Sequence, residues 1–215
     1  MKRLQILLFL LFLSSGLLAQ KIDGNSIEHV YTVPNASAEA LFSEIHYALS
    51  LIYQDIDTAI KYKDNSSKRM VVKALALVPV LDAYKLMNPN SSELSDYIDY
   101  SHNYTLIIKV KDGKYWIQLS YQDGKYADSQ LTEYKLPFAA KMDFDETDLV
   151  QVVKKAQTEM SQDYYAMTSR KKKQIYIQSQ ARVVKEYQQT LIDYASIFFQ
   201  SLHKKVLEGF EKEDW

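Results

Sequence analysis

Between residues 103 and 121 the chain reads NYTLIIKVKDGKYWIQLSY, two runs in which apolar and polar positions alternate on either side of Lys111-Asp112-Gly113-Lys114. A two-residue period belongs to a strand whose side chains point to alternate faces, and Asp-Gly tolerates the left-handed dihedrals of a tight turn. The pattern therefore predicts an antiparallel hairpin. Tyr104, Leu106, Ile108 and Val110 fall on one face, and Thr105, Ile107, Lys109 and Lys111 on the other. The apolar face needs a cover. Residues 148–210, free of proline and with Gly209 as their one glycine, are suited to supply it as helix.

The rest of the pattern fills in around that hairpin. Residues 27–33 read as a strand ended by Pro34-Asn35, since proline lacks a donor and restricts its neighbour. Ser37 is a cap for a helix over residues 38–53, where Leu41, Ile45, Ala48, Leu49 and Ile52 return at helical spacing. Two strands are expected at 58–62 and 70–80. Residues 82–101 read mostly as a connection, with a turn at 88–92 and a short helical turn around 93–98. Asp123-Gly124 repeats the turn signal and predicts a further edge of a meander, and 136–138 an extended edge segment. The acidic stretch 143–148 suits the start of a helix, where free amide protons favour negative charge.

Beyond it, Leu149, Val152, Val153, Ala156, Met160 and Met167 mark one helical stripe. Val184, Tyr187, Leu191, Tyr194, Ala195, Phe198, Leu202, Val206 and Phe210 mark another. A single helix over the whole stretch would be about 95 Å long, too long for a small core, which predicts a break near residues 169–176. The fold class is α+β: an antiparallel sheet domain over residues 20–147 with one N-terminal helix, and a long helical region over 148–215 that packs on it.

The first residues change the picture of where such a domain works. Met1-Lys2-Arg3 precedes an apolar run from Leu4 to Leu13 and then Ser14-Ser15-Gly16-Leu17-Leu18-Ala19, the basic, apolar and small-residue succession of a secretory signal peptide over 1–19. Export to the periplasm or beyond is the expectation. Cleavage after Ala19 removes Lys2 and Arg3 from 26 basic and 27 acidic residues, leaving 24 against 27, a balance that gives no pull toward nucleic acid. The chain has no cysteine, which excludes disulfides and thiol chemistry. No later run is apolar and long enough to span a membrane.

Candidate chemistry is sparse. The four histidines, His29, His46, His102 and His203, lack the spacing of a zinc cluster, although His29 on a strand can meet His102 in space. Ser50 and Ser101 lie in no nucleophile turn, and neither a phosphate loop nor a dinucleotide fingerprint is present. Catalytic, metal and cofactor sites are accordingly assigned to no residue. Two features remain. Tyr97, Tyr100, Tyr104, Tyr115, Tyr121 and Tyr126, out of 17 tyrosines, gather around the hairpins as core packing or as a face for a protein, peptide or glycan. Arg170, Lys171, Lys172 and Lys173 form a basic run, either a solvated helix junction or an anion contact.

Val30 to Val33, Ala40-Leu41-Phe42, Lys73-Ala74-Leu75 and above all Ile107-Ile108-Lys109-Val110-Lys111-Asp112-Gly113-Lys114-Tyr115 resemble an exported bacterial family, domain of unknown function 4468, many of whose members come from Bacteroidetes. The resemblance covers about residues 27–163 and implies a TBP-like antiparallel sheet. It brings no catalytic residues. The resulting expectation is a non-catalytic exported domain of the cell envelope that binds a protein, peptide or glycan. The alternatives are an oligomeric scaffold joined through residues 184–210, a lipid-carrying domain, and a hydrolase with an unrecognised site.

Overall fold

The computed structural model describes residues 20–122, 124–126, 140–162 and 168–211, leaving out the side chains of 125 and 126. The signal-peptide region and the segment 136–138 lie outside them. Strands β1 (Lys21–Asp23), β2 (Ser26–Thr32), β3 (Ile60–Asp64), β4 (Arg69–Leu81), β5 (Tyr97–Lys111) and β6 (Lys114–Tyr121) form one antiparallel sheet in the order β1-β2-β6-β5-β4-β3, and β7 (Lys125–Tyr126) also pairs with β5. The helices are α1 (Ala38–Ser50), α2 (Ile56–Ala59), α3 (Ala83–Met87), α4 (Glu146–Met160) and α5 (Arg170–Glu211).

The hairpin forms where the alternation places it. Lys111 pairs with Lys114, and Gly113 takes a left-handed φ of 71° between them. The same turn anchors the next element. Gly113 donates to Ala36 O at 2.9 Å, its own carbonyl accepts from Val33 N at 2.8 Å, and the Asp112 carboxylate accepts from Ala38 N at 2.7 Å at the start of α1. Ser37 caps that helix as expected, accepting from Ala40 N at 3.2 Å. The Asp145 and Asp148 side chains each accept from the other's backbone N–H in a capping box at the start of α4.

Four departures from the pattern have physical causes. Residues 56–59 form a helical turn because Asp55 accepts from Thr58 N at 3.0 Å, and the strand begins only at Ile60. Residues 82–101 are structured: Asp82 caps α3, and β5 already begins at Tyr97, its period of two hidden by Asp99, Ser101, His102 and Asn103. The second Asp-Gly is no hairpin turn. β7 pairs with β5 on the side already used by β6, with Tyr100 opposite Tyr126 where Tyr104 is opposite Tyr121, a shift of one residue. The chain thus runs on through Gly124 along β5 across a bulge. The helical break, expected near 169–176, lies between Met160 and Arg170, because Ser169 starts α5 by accepting from Lys173 N at 3.1 Å.

One face of the sheet is covered. Helix α5, 42 residues and so about 63 Å long, lays Val183, Val184, Tyr187, Leu191, Ala195, Phe199, Leu202 and Val206 against it, and α1 adds Leu41, Phe42, Ile45, Ala48 and Leu49. They meet the inward residues of β4, β5 and β6, among them Val72, Ala76, Leu106, Ile108, Ile117 and Leu119, all fully buried. Helix α4 packs mainly on α5, with α3 beside it, around a smaller cluster of Met87, Ala156, Met160 and Tyr176.

Gly124 is where this packing leaves no room. A Cβ there would lie 2.2 Å from Cε1 of the fully buried His102 ring, which is itself held by Gln122 O at 3.0 Å and by the Tyr187 hydroxyl at 3.4 Å. Gly124→Ala is expected to cost about 1–3 kcal/mol through overpacking. Chemical denaturation checks this, and an unchanged midpoint would contradict the ring contact.

Candidate functional site

The tyrosines of the hairpins are brought together, but on the covered side. Tyr104 and Tyr121 are cross-strand partners, and they and Tyr115 are at most 2 % exposed, with Tyr100 at 9 %. Parity explains it: these positions share the inward face with Leu106, Ile108, Ile117 and Leu119. A binding face made of Tyr100, Tyr104, Tyr115 and Tyr121 is therefore excluded by burial. Tyr97 alone of the described five is exposed, and the side chain of Tyr126 lies outside the described residues.

Each of three buried hydroxyls has a partner. Tyr104 and Tyr53 share a bond of 2.8 Å, Tyr121 donates to Leu191 O at 3.0 Å, and Tyr115 lies 3.1 Å from His203 Nδ1. Burial raises the pKa of all three hydroxyls well above the ordinary tyrosine range, so they stay neutral. These residues are a polar seam inside the core.

His29 meets His203 rather than His102. The His203 ring stacks on Tyr31 with centroids 4.1 Å apart, and His29 approaches the same tyrosine edge-on at 4.3 Å. Burial pushes Tyr31 up to about 12. His102 instead lies beside Tyr187 and Tyr121. Ser50 ends α1 by donating to Tyr47 O at 2.7 Å, and Ser101 lies on the opposite face of β5 from His102. Ser50 thus spends its hydroxyl on the helix end, and Ser101 faces away from His102. Among the described residues no group of three or more metal-ligating side chains comes together.

The basic run opens α5. Arg170 and Lys171 point to solvent, Lys172 donates to Asn88 Oδ1 at 2.6 Å, and Lys173 donates to Met160 O at 2.9 Å at the end of α4. Cations oppose the helix dipole at this end. Half of the run thus ties α5 to α3 and α4, and it presents no four-residue anion surface.

The face of the sheet away from the helices is the remaining surface, and sequence reasoning passed over it. Reading across the register, Val30, Trp116, Lys109 and Arg69 stand in one row, and Glu28, Gln118, Ile107, Val71 and Tyr62 in the next. Farther along β4 come Leu75 and Leu77, 53 % and 56 % exposed, with Tyr62 at 50 %. Lys109 lies over the Trp116 ring, its Nζ 4.4 Å from the centroid. Arg69 is directly opposite Lys109, and Lys111 directly opposite Lys114. Like charges so placed repel, and none of the four makes an ion pair among the described residues. The signal was present in the sequence as the outward half of the alternation.

Comparison with solved structures follows from this geometry. A crystal structure of a DUF4468 family protein from Bacteroides ovatus superimposes with a TM-score of 0.51 at 15 % identity, over 84 % of this chain and 85 % of that one. The chain shares the fold of a DUF4468 family protein. A TBP-like protein from Parabacteroides distasonis is similar at a TM-score of 0.45 and 12 % identity, over 86 % and 93 % of the two chains. No family model and no curated protein matches the sequence. This chain is α+β, an antiparallel sheet covered on one face by helices that include the long C-terminal one.

The His29 and His203 cluster makes stability depend on acid. Burial lowers both pKa values, His203 to about 4, with His29 adding repulsion. Because the unfolded chain binds these protons first, the stabilisation is complete above about pH 6.5 and is lost as pH falls toward 4. For partly exposed His203 the loss should be about 2 kcal/mol. His203→Phe should flatten that part of a stability-versus-pH curve measured by denaturant titration. An unchanged slope would show that His203 does not carry it.

Proposed function

We propose that the protein is a non-catalytic binding domain of the bacterial cell envelope that recognises another protein through the open face of its sheet. The carrying observation is the makeup of that face: exposed Tyr62, Leu75 and Leu77 alongside the opposed cations Arg69, Lys109, Lys111 and Lys114. An antiparallel sheet tolerates a solvated face, but that face is ordinarily polar. Here large apolar groups, Tyr62 one row from Arg69 and the two leucines farther along β4, share the face with uncompensated positive charge in a chain whose formal net charge is −1. Such a surface fits a partner segment that carries apolar side chains and carboxylates, and its apolar part supplies burial while its charges set orientation.

The envelope location rests on the leader sequence and the recognition on the open face, so one experiment can address both. A photo-crosslinking side chain placed at Thr105 or Gln118, on the open face, should capture one envelope protein in cells. The same group at Ile197, exposed on α5, should not. Combining Arg69→Glu with Lys109→Glu should reduce the open-face adduct at least tenfold while leaving the melting temperature within a few degrees. Equal yields from both sites, or an adduct indifferent to the charge reversals, would overturn the reading.

A further inference from the structure

We infer that the open face of the sheet takes an α-helix of its protein partner, laid along β4 and β5 with its C-terminal end toward the hairpin turn at Gly113. The inference rests on the recognition reading above and adds the partner's conformation and direction.

Backbone bonding and the width of the apolar surface decide the conformation. Within the face the ladders are spent on one another: β4 pairs with β5 from Arg69 to Leu81, β5 with β6 from Tyr104 to Lys111, and β6 with β2 from Lys114 to Ser120. A partner lying on this face meets side chains only, whereas an extended peptide gains its main-chain bonds at an edge. An extended segment here would need water for both rows of its backbone groups at a contact that excludes water. A helix bonds its backbone internally. A second sheet would also do so, but it needs an apolar surface several strands wide. The exposed apolar positions instead follow one strand, Val71, Leu75, Leu77 and Pro79 on β4, broken by Lys73. Beside them on β5 stand Ser101, Asn103 and Thr105, and Gln118 and Ser120 follow on β6. One stripe suits one helix, as the opposite face of the same sheet is covered by α1 and α5. From Leu77 to Arg69 the stripe measures about 27 Å, five turns of helix.

Charge along the stripe sets the direction. Arg69, Lys109, Lys111 and Lys114 gather at the hairpin end, and Lys73 stands midway. At the far end the exposed Asp99 lies opposite Pro79 and shares the outward parity of Ser101. A helix carries partial negative charge at its C-terminus and partial positive charge at its N-terminus. Its C-terminal end therefore belongs over the four cations and its N-terminal end over Asp99. Carboxylates on the last turns of the same helix would answer the opposed pairs Arg69 and Lys109, and Lys111 and Lys114, which repel each other in the free protein. Apolar side chains earlier in the helix meet Leu75 and Leu77, each about half exposed.

The test measures distance along the partner. An aromatic photo-crosslinking side chain replaces Leu77 in one full-length protein and Gln118 in another, each is expressed in cells, and mass spectrometry of the digested adduct locates the captured residue. Ser101, opposite Leu77, and Ile107, opposite Gln118, are six residues apart on β5, which separates the two rows by about 20 Å. On a helix that distance is about 13 residues, so the two captured positions should lie about 13 apart in one segment of one protein, with the one taken from Gln118 the more C-terminal. A spacing near 6, capture from two separate segments, or the reverse order would overturn the inference while leaving recognition through the face intact. Absence of an adduct from both sites, in variants that keep the melting temperature of the parent protein, would overturn the two together.

Discussion

A tyrosine buried to its hydroxyl needs a partner for that hydroxyl, and most of the arrangement of this protein follows from meeting the need several times along one seam. Leaving such a group without a bond costs about 1–3 kcal/mol. Tyr121 reaches the backbone of α5 at Leu191, Tyr115 reaches His203 three turns farther on, and Tyr187 reaches back from α5 to His102 on β5. Apolar burial alone would leave a long helix free to slide or roll over a flat sheet. These three contacts, spread from residue 187 to residue 203, fix both its position along the sheet and its rotation, with Ala195 and Phe199 filling the space between.

The two faces of the sheet answer to different constraints. Inward positions are apolar or, apart from His29, whose buried Nδ1 has no hydrogen-bond partner among the described residues, have their polar tips bonded, which is how tyrosine and histidine can replace leucine there without leaving a cleft. Outward positions are under no such demand, so a leucine or an opposed pair of cations there needs another explanation. An abundance of aromatic residues in a hairpin therefore does not identify a surface. The parity of each position does.

Strands β2, β4 and β6, the later part of β5 and the first helix were legible because period two and period 3.6 are local properties of the chain. Ser37 could be read as a cap and residues 143–148 as a helix start for the same reason, since capping side chains act on amides within three residues. What was not legible depended on partners distant in sequence. Asp123-Gly124 has the composition of a turn, yet the preceding strand continues along β5, and the small residue is required by the His102 ring, 22 positions away. The start of β5 was obscured because His102 is polar in the sequence and fully buried in the fold, its ring satisfied by Gln122 and Tyr187. His29 found His203 rather than His102 because that choice rests on where α5 ends, which its apolar stripe alone does not define.

The open rim of β4 shows how a fold can control an exposed edge without closing it. The two ends of the exposed stretch carry different devices: Lys73 brings charge next to β3, and Pro79 deletes a donor. Either would discourage indefinite strand addition, but neither acts at Leu75 or Leu77. The uncovered stretch is short, bounded at one end by β3 and the helical turn α2 and interrupted toward the other by proline. Bounded in this way, an apolar edge can be kept open by a protein that would otherwise be selected to cover it.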